Sequence, residues 1–371
     1  MNALTDLETP ALLVDRAKLD ANWQRLSQRI AKLGPSLRLH VKTAKSVEVV
    51  RRLHGDAPAP IAVSTLKEAE IFGAHGYQDV LYTVAIAPHK VARAAALAKS
   101  GMRLSAIVDN VELAKAIAGA PLEVLIEIDS DGHRAGLRPD DPQLVKVAKA
   151  LASGGATVAG VMTHAGASYN CGTRDQIRAM AAQERDAAVH AAQRLRDAGF
   201  PAPVVSVGST PTATYAQDLA GVTEVRAGVF VFFDLVMAGI DVCGTEDIAL
   251  SVLATVIGHQ KDKGWALTDA GWMALSRDRG TATQKLDQGY GVVCDASGEP
   301  IEGLIVADAN QEHGIVAHRS GEPGKLPELP VGTRLRILPN HACATGAQHE
   351  RYQVLGKTGR VEAAWERFSG W

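Results

Sequence analysis

LEVLIEIDSDGHRAGLRPDDPQLVKVAKALASGGATVAGVMTH, residues 122–164, decides how the chain folds. Leu122–Asp129 and Thr157–Thr163 are short runs of β-branched and aliphatic residues, and between them lies the Ala-rich, amphipathic stretch Pro142–Ala152. A strand, a helix and a second strand in that order call for a crossover connection, and so for parallel pairing. The same alternation extends in both directions. Strand-like runs recur at Ser36–Val41, Ile61–Ser64, Val80–Val84, Leu104–Val108, Val204–Val207 and Val222–Phe233, eight in all. Helix-like segments separate them at Leu66–Ala74, His89–Lys99, Val111–Ala118 and Arg174–Ala198. The last carries Ile177, Met180, Ala188, Ala192 and Leu195 at helical spacing and stops at Gly199, while an earlier helix, Ala17–Leu33, stops at Gly34. Eight strands alternating with helices predict an α/β fold with a parallel sheet, and eight is the number that closes a (β/α)8 TIM-type barrel. An open doubly wound sheet has the same pattern and remains the competitor.

Beyond about residue 245 the texture changes. Ile248–Ile257, Trp265–Thr268, Gly291–Asp295, Ile305–Ala307, Gly314–His318 and Thr333–Leu338 are apolar runs joined by turn residues with little helix between them. They predict a β-rich second domain, which the strand Ala11–Asp15 joins because a whole helix separates it from the first barrel strand. The expected limits are 17–245 for the barrel and 1–16 with 246–371 for the β domain.

The chain has 371 residues, more than one average domain needs, and a barrel of about 250 residues accounts for the excess. Lys+Arg 39 against Asp+Glu 41 leaves a net charge of −2, which excludes the basic profile of a nucleic-acid binder. With 46% hydrophobic and 22% charged residues the chain reads as globular, not disordered. Its 4 cysteines (Cys171, Cys243, Cys294, Cys343) are too widely spaced to suggest a disulfide framework or a CxxC pair. MNALTDLETP carries no secretory pattern, and no run of about 18 apolar residues marks a membrane span. A cytoplasmic, reduced enzyme acting on a small molecule is expected, with no nucleic-acid or membrane partner.

Barrel active sites lie at the C-terminal ends of the strands. There the sequence places His40-Val41-Lys42-Thr43, Asp109, the run Asp129–Arg134, His164 with Gly166 and Tyr169, then Gly208-Ser209-Thr210-Pro211-Thr212, and Arg226-Ala227-Gly228 leading into the eighth strand. Lys42 at the end of a buried strand would be desolvated, which lowers its pKa and suits Schiff-base chemistry; a solvated rim lysine is the alternative and the commoner case. Gly208-Ser209-Thr210 has the make-up of a phosphate cradle, or of an ordinary turn with a Ser/Thr cap. Arg134, flanked by Gly132 and Gly136, is a donor to a cofactor oxygen or a surface ion-pair residue. His164 is a ring contact or a structural histidine. In the β domain, His341-Ala342-Cys343 at a strand end would put imidazole and thiolate on one side, a donor set that suits zinc better than magnesium or manganese; a buried inert Cys beside a hydrogen-bonded His is the alternative. Two protein ligands would leave such a metal open positions. Asn310-Gln311-Glu312-His313-Gly314 is either a second polar cluster or a turn.

Glu8-Thr9-Pro10-Ala11, LHVKTAK at 39–45, DGHRAG at 131–136, GSTPT at 208–212, EVRAG at 224–228, Asp269-Ala270-Gly271, QEHG at 311–314 and PNHAC at 339–343 occur in that order along nearly the whole chain. Together they resemble the fold-type III, pyridoxal-phosphate-dependent D-serine dehydratase and D-threonine aldolase family, relatives of alanine racemase. Thr9-Pro10, VSTLKEAE at 63–70 and DAGWMA at 269–274 resemble in particular the subgroup that dehydrates D-threo-3-hydroxyaspartate. The resemblance implies an alanine-racemase-like barrel with a C-terminal antiparallel β domain, assembled as a homodimer. It implies that Lys42 carries pyridoxal 5'-phosphate as a Schiff base and that Arg134 faces the cofactor's phenolic oxygen. It puts His164 and Tyr169 at the cofactor ring and Ser209, Thr210 and the Gly228 backbone at its phosphate. His341 and Cys343 would bind zinc, where aldolases of the group usually have His-x-Asp and a harder metal, Mn2+ or Mg2+. Phe230 and Met273 depart from the relatives' usual Tyr and Lys.

The reaction so implied is that of a carbon–oxygen lyase, the dehydration of a D-3-hydroxy amino acid (D-threo-3-hydroxyaspartate or D-serine) to a 2-oxo acid and ammonia. Lys42 would be the base at the α-carbon, and zinc would assist departure of the hydroxyl. The alternative is an aldolase releasing glycine and an aldehyde from D-threonine or D-3-hydroxyaspartate.

Overall fold

The computed structural model describes residues 3–55 and 57–371. The chain divides into two compact units, one of Arg25–Gly228 with Gly370–Trp371, the other of Val229–Ser369 with the chain up to Gln24. Strand β1 (Ala11–Asp15) belongs to the latter.

The barrel unit contains β2 (Ser36–His40), β3 (Ile61–Val63), β4 (Asp79–Ala85), β5 (Arg103–Val108), β6 (Glu123–Ile128), β7 (Thr157–Thr163), β8 (Val204–Val207) and β9 (Glu224–Ala227). They pair in chain order, all parallel, and β9 returns to β2 through Ser36↔Glu224 and Leu39↔Ala227, so the sheet is a closed barrel and the open-sheet competitor falls away. The connecting helices start where the sequence offers a side-chain oxygen: Thr65 accepts from Glu68 N, Asn110 from Leu113 N and Thr173 from Gln176 N. Ala62, Leu81, Ile107, Leu125, Ala159 and Met162, contributed by β3 to β7, form one buried apolar cluster; each larger side chain among them stabilises the fold by about 1.5–3 kcal/mol relative to exposure. Arg38 lies between Glu224 and Asp79, 2.7 Å from each, near the starts of their strands.

The eighth strand is shorter than the run Val222–Phe233 suggests. It ends at Ala227, so Arg226 and Ala227 lie within it and Gly228 just past it, where the chain enters the other unit. The apolar residues that follow are buried there: Phe230 stacks on Trp23 at 6.1 Å and Phe232 meets Tyr352 at 5.4 Å. Asn22 Nδ2 donates to the carbonyls of Val231 and Asp247. These contacts move the unit boundaries to 24/25 and 228/229 from the expected 16/17 and 245/246, because segments adjoining the barrel supply core to the other unit.

That unit is built on a nine-stranded sheet. It contains β10 (Leu250–Gln260), β11 (Trp265–Thr268), β12 (Val292–Cys294), β13 (Pro300–Ala309), β14 (Gly314–His318), β15 (Arg334–Leu338), β16 (Arg351–Leu355) and β17 (Val361–Glu366), ordered β11-β14-β13-β12-β15-β10-β1-β16-β17. The long β10 also pairs with β11, which makes a ring of six strands. β1 joins the sheet as expected, antiparallel to β10 but parallel to β16, the one departure from the antiparallel order. The hairpin β16–β17 had no counterpart among the sequence runs. Thr9 and Asp269, both in family motifs, meet here through a 2.5 Å hydrogen bond. No helix among the described residues is long and apolar enough to cross a membrane.

Candidate active site

The barrel rim carries the residues expected of it. Lys42 lies in the turn just past β2 with its side chain exposed, so the desolvation expected of a strand-end lysine is not found: the strand stops at His40, and the turn holds the amine clear of the packed interior. The next residue, Thr43, is buried. His40 itself points inward, its Nε2 3.0 Å from Thr83 Oγ1 and 3.5 Å from Ser64 Oγ. Burial, reinforced by Lys42, Arg226 and His164, pushes the His40 pKa well below the ordinary histidine value.

His164 follows β7 directly. Its Nδ1 lies 2.9 Å from the Gly208 carbonyl, so the neutral ring donates there, and burial pushes it down to about 3. The Tyr169 ring stands 6.3 Å away, tilted by 51°. Ser209 caps the short helix Thr210–Tyr215 in a capping box with Thr212 and sits 2.9 Å from Ser168 Oγ. Thr210 Oγ1 is buried and has no hydrogen-bond partner. Two glycines let the backbone pack closely at this corner: a Cβ at Gly208 would run into the Arg226 carbonyl, and one at Gly228 would come within 2.7 Å of the His40 carbonyl oxygen. Arg134 is exposed at the mouth, with Nη2 3.8 Å from Glu127 Oε1. Burial pushes the Glu127 carboxyl up, and Arg134 opposes that shift.

Sequence reading missed Glu184. It occupies the buried stripe of the helix Arg174–Asp197 and accepts hydrogen bonds from Ala165 N, Gly208 N and Thr212 Oγ1. The only hint of it is a carboxylate at helical spacing among Ala181, Ala188 and Ala191. Arg226 was noted only as part of a motif; it is buried too, donating to Ser206 Oγ and to the Thr163 carbonyl.

In the other unit, His341 and Cys343 do not sit on a strand. β15 ends at Leu338, His341 is the N-cap of the short helix Ala342–Gly346, and Cys343 lies in its first turn. A hydrogen bond nevertheless joins the two side chains, because an N-cap and the second helical residue face the same way. Asp278 Oδ2 stands 2.8 Å from His341 Nδ1. Burial opposes a charge on His341, but the hydrogen bonds to Asp278 and Cys343 outweigh it and push the imidazole up to about 11. The segment is anchored from a distance: buried Asp234 accepts from Ala342 N, and Asn340 bonds Thr281 and the carbonyls of Asp278 and Gly289. Asp234 and Asp278 carried no sequence signal. Among the described residues no group of three or more His, Cys, Asp and Glu side chains is gathered for a metal.

The polar run 310–313 is the turn between β13 and β14 and is exposed; its backbone carbonyls accept from Trp272 N and Met273 N. Met273 is 42% exposed, whereas Phe230 is fully buried. None of the four cysteines, all among the described residues, forms a disulfide, and burial pushes the Cys294 thiol up to about 12.

The family model for the alanine racemase N-terminal domain matches residues 14–236, and the one for a putative serine dehydratase domain matches residues 249–355. The chain belongs to the alanine-racemase-like D-serine dehydratase family. It is 54% identical to the D-threo-3-hydroxyaspartate dehydratase of Delftia sp. (strain HT23) over 100% of both chains. The solved structure of that enzyme superposes with a TM-score of 0.97, at 53% identity and full coverage of both chains. Two of its mutants are solved as well, a cysteine-to-alanine form described as metal-free and a histidine-to-alanine form. A D-serine dehydratase of Dictyostelium discoideum is 28% identical over 96% of each chain, and a D-threonine aldolase of Arthrobacter sp. is 29% identical over 98% of this chain and 93% of its own.

The family implies pyridoxal phosphate, and the rim fits it. An exposed primary amine is available to an aldehyde, and a buried hydroxyl without a partner, Thr210 Oγ1, stands at the first residue of the helix that Ser209 caps.

Proposed function

We propose that this chain dehydrates a D-3-hydroxy amino acid, D-threo-3-hydroxyaspartate before D-serine, to a 2-oxo acid and ammonia. Full-length identity of 54% with a D-threo-3-hydroxyaspartate dehydratase is the observation that carries the reading. The sulfur-containing donor pair His341 and Cys343 favours it over aldol cleavage, as does the more remote likeness to the aldolase.

Pyridoxal phosphate bound at Lys42 supplies the electron sink that makes a proton on the substrate's α-carbon acidic. In this reading Lys42 Nζ takes that proton as general base, which needs an amine free to reach the substrate; its exposed position supports the role. His164, neutral near pH 7 because burial holds it at about 3, lends an uncharged face to the ring, with Tyr169 beside it. Ser209, Thr210 and the Gly228 backbone hold the phosphate, and Arg134 at the mouth faces the phenolic oxygen. His341 and Cys343 hold a divalent metal. Sulfur with imidazole selects zinc over Mn2+ or Mg2+, and two protein ligands leave positions free. Zinc held there supplies Lewis acidity toward a hydroxyl leaving group. Asp278 on His341 Nδ1 fixes the tautomer that leaves Nε2 for the metal. The working form is a homodimer in the cytoplasm.

A panel of D-serine, D-threonine and both 3-hydroxyaspartate diastereomers, assayed for ammonia and for glycine, tests the reading. Ammonia with a 2-oxo acid is expected, and glycine as the main product would overturn it. Borohydride reduction followed by peptide mapping should find the pyridoxyl group on Lys42.

A further inference from the structure

The helix Arg174–Asp197 buries Ile177, Ala181, Ala188, Ala191, Ala192 and Leu195, and Glu184 sits inside that stripe with 1% of its surface exposed. A carboxylate is expensive to bury unless its oxygens are fully used. Here they are. Oε1 accepts from Ala165 N at 2.9 Å and Gly208 N at 3.0 Å, and Oε2 from Thr212 Oγ1 at 2.7 Å. The donors come from two loops, the turn after β7 and the loop after β8. Thr212 Oγ1 also accepts from Ser209 N at 3.1 Å, and the Gly208 carbonyl takes the hydrogen bond from His164 Nδ1. One side chain therefore ties together, directly and through Thr212, the peptides on both sides of Gly208 and the strand end that presents His164. With the loop so tied, Thr210 Oγ1 is left buried and unpaired.

We infer that Glu184 is a positioning residue for the cofactor phosphate, locking the two loops so that Ser209 and Thr210 form a preformed anion site. The inference rests on the cofactor reading above. Burial pushes the Glu184 carboxyl up, against the hydrogen bonds from Thr212, Ala165 and Gly208 and the charge of Arg226. The three donors match the ionised form, which accepts only. Glu184 acts through these donors and not as a ligand itself, since both its oxygens are engaged and a carboxylate repels an anion.

The test titrates apoenzyme with pyridoxal phosphate and with pyridoxal, following the Schiff-base absorbance, in the wild type, Glu184→Gln and Thr212→Val. Both variants should bind pyridoxal phosphate about 10- to 100-fold more weakly, the effect of losing one charge-assisted hydrogen bond, and pyridoxal within about twofold of the wild type. The melting temperature of each apo form is read alongside. An unchanged preference for the phosphate ester in both variants would overturn the inference, as would tighter binding by Glu184→Gln, which would mean that the carboxylate merely repels the ligand. Equal loss of both ligands would also overturn it, since that marks a general structural role. Should Glu184→Gln fail to fold, Thr212→Val, which swaps a hydroxyl for a methyl of similar size, decides alone. If wild-type enzyme itself shows no borohydride-reducible adduct at Lys42, the cofactor reading falls and the inference with it.

Discussion

The barrel unit and the β unit hold their candidate groups in opposite ways. On the barrel rim each group follows its own strand closely: Lys42 after β2, His164 after β7, Ser209 after β8 and Gly228 after β9. The architecture sets the spacing, and neighbouring loops do the rest. In the β unit the donor pair lies beyond β15 on a single helical turn; Asp278 and Asp234 hold it from two other segments, and the adjoining Asn340 is bonded to Thr281 and the Asp278 and Gly289 carbonyls. The proton affinities differ as well: burial pushes His164 down to about 3, while at His341 burial is outweighed by the hydrogen bonds to Asp278 and Cys343, which push it up.

The sharpest way to break the comparison is to remove one group from each region. Lys42→Ala should lower ammonia release by about 1,000-fold or more, because the base and the cofactor attachment go together, and borohydride should then label no peptide of the barrel. Cys343→Ala should cost about 100-fold or more in rate, from the several kcal/mol that a Lewis acid contributes. Its metal content, read by emission spectroscopy, should fall while its cofactor absorbance stays. If Cys343→Ala loses cofactor as well, the two regions are not functionally separable and the contrast is wrong.

The contrast also explains what the sequence could and could not tell. Eight β-branched runs with helices between them predict a parallel sheet but not its closure, which the pairing of β9 with β2 decides, and the loop after each run points to Lys42, His164, Ser209 and Thr210, because parallel strands put consecutive loops on one rim. The eighth strand was read too long, since Phe230 and Phe232 look the same in sequence whether they continue a strand or fill a neighbouring core. His341 and Cys343 were found through their spacing and the family motif, but the period-two argument behind the pairing did not hold, because a helical cap can bring i and i+2 together too. Glu184, Asp234 and Asp278 stayed hidden. Each is an acidic residue whose partners lie far away in the chain, so no local pattern distinguishes it from a solvated one.

A milder change sharpens the β-unit side. Asp278→Asn keeps shape but replaces the charged acceptor that fixes the His341 tautomer with a weaker neutral amide, so metal affinity should fall by about 10-fold. A zinc titration against a competing chelator reads it, and borohydride labelling of Lys42 should be unaffected. Unchanged zinc affinity would show that the pair orients itself without help from distant segments.

The smallest effect belongs to the barrel and depends on pH. His164 has a folded-state pKa of about 3, against 6.5 for an ordinary histidine. Between those values the unfolded chain binds a proton that the folded chain refuses, so His164 adds nothing above pH 6.5 and destabilises as pH falls toward 3, by at most about 1.4 kcal/mol per pH unit. His164→Gln removes that proton uptake but also alters the hydrogen bond to the Gly208 carbonyl, so the variant can be less stable at pH 7. The measurement is therefore a difference of differences. Urea unfolding of both proteins at pH 7 and pH 5 should shift the stability gap by about 2 kcal/mol in the variant's favour at the lower pH. His40, whose pKa burial depresses above all, is present in both proteins and enters the comparison only through its lesser interaction with His164. A gap that stays constant would mean that His164 takes up a proton without leaving its pocket. The contrast between the two regions would then narrow to how their residues are anchored.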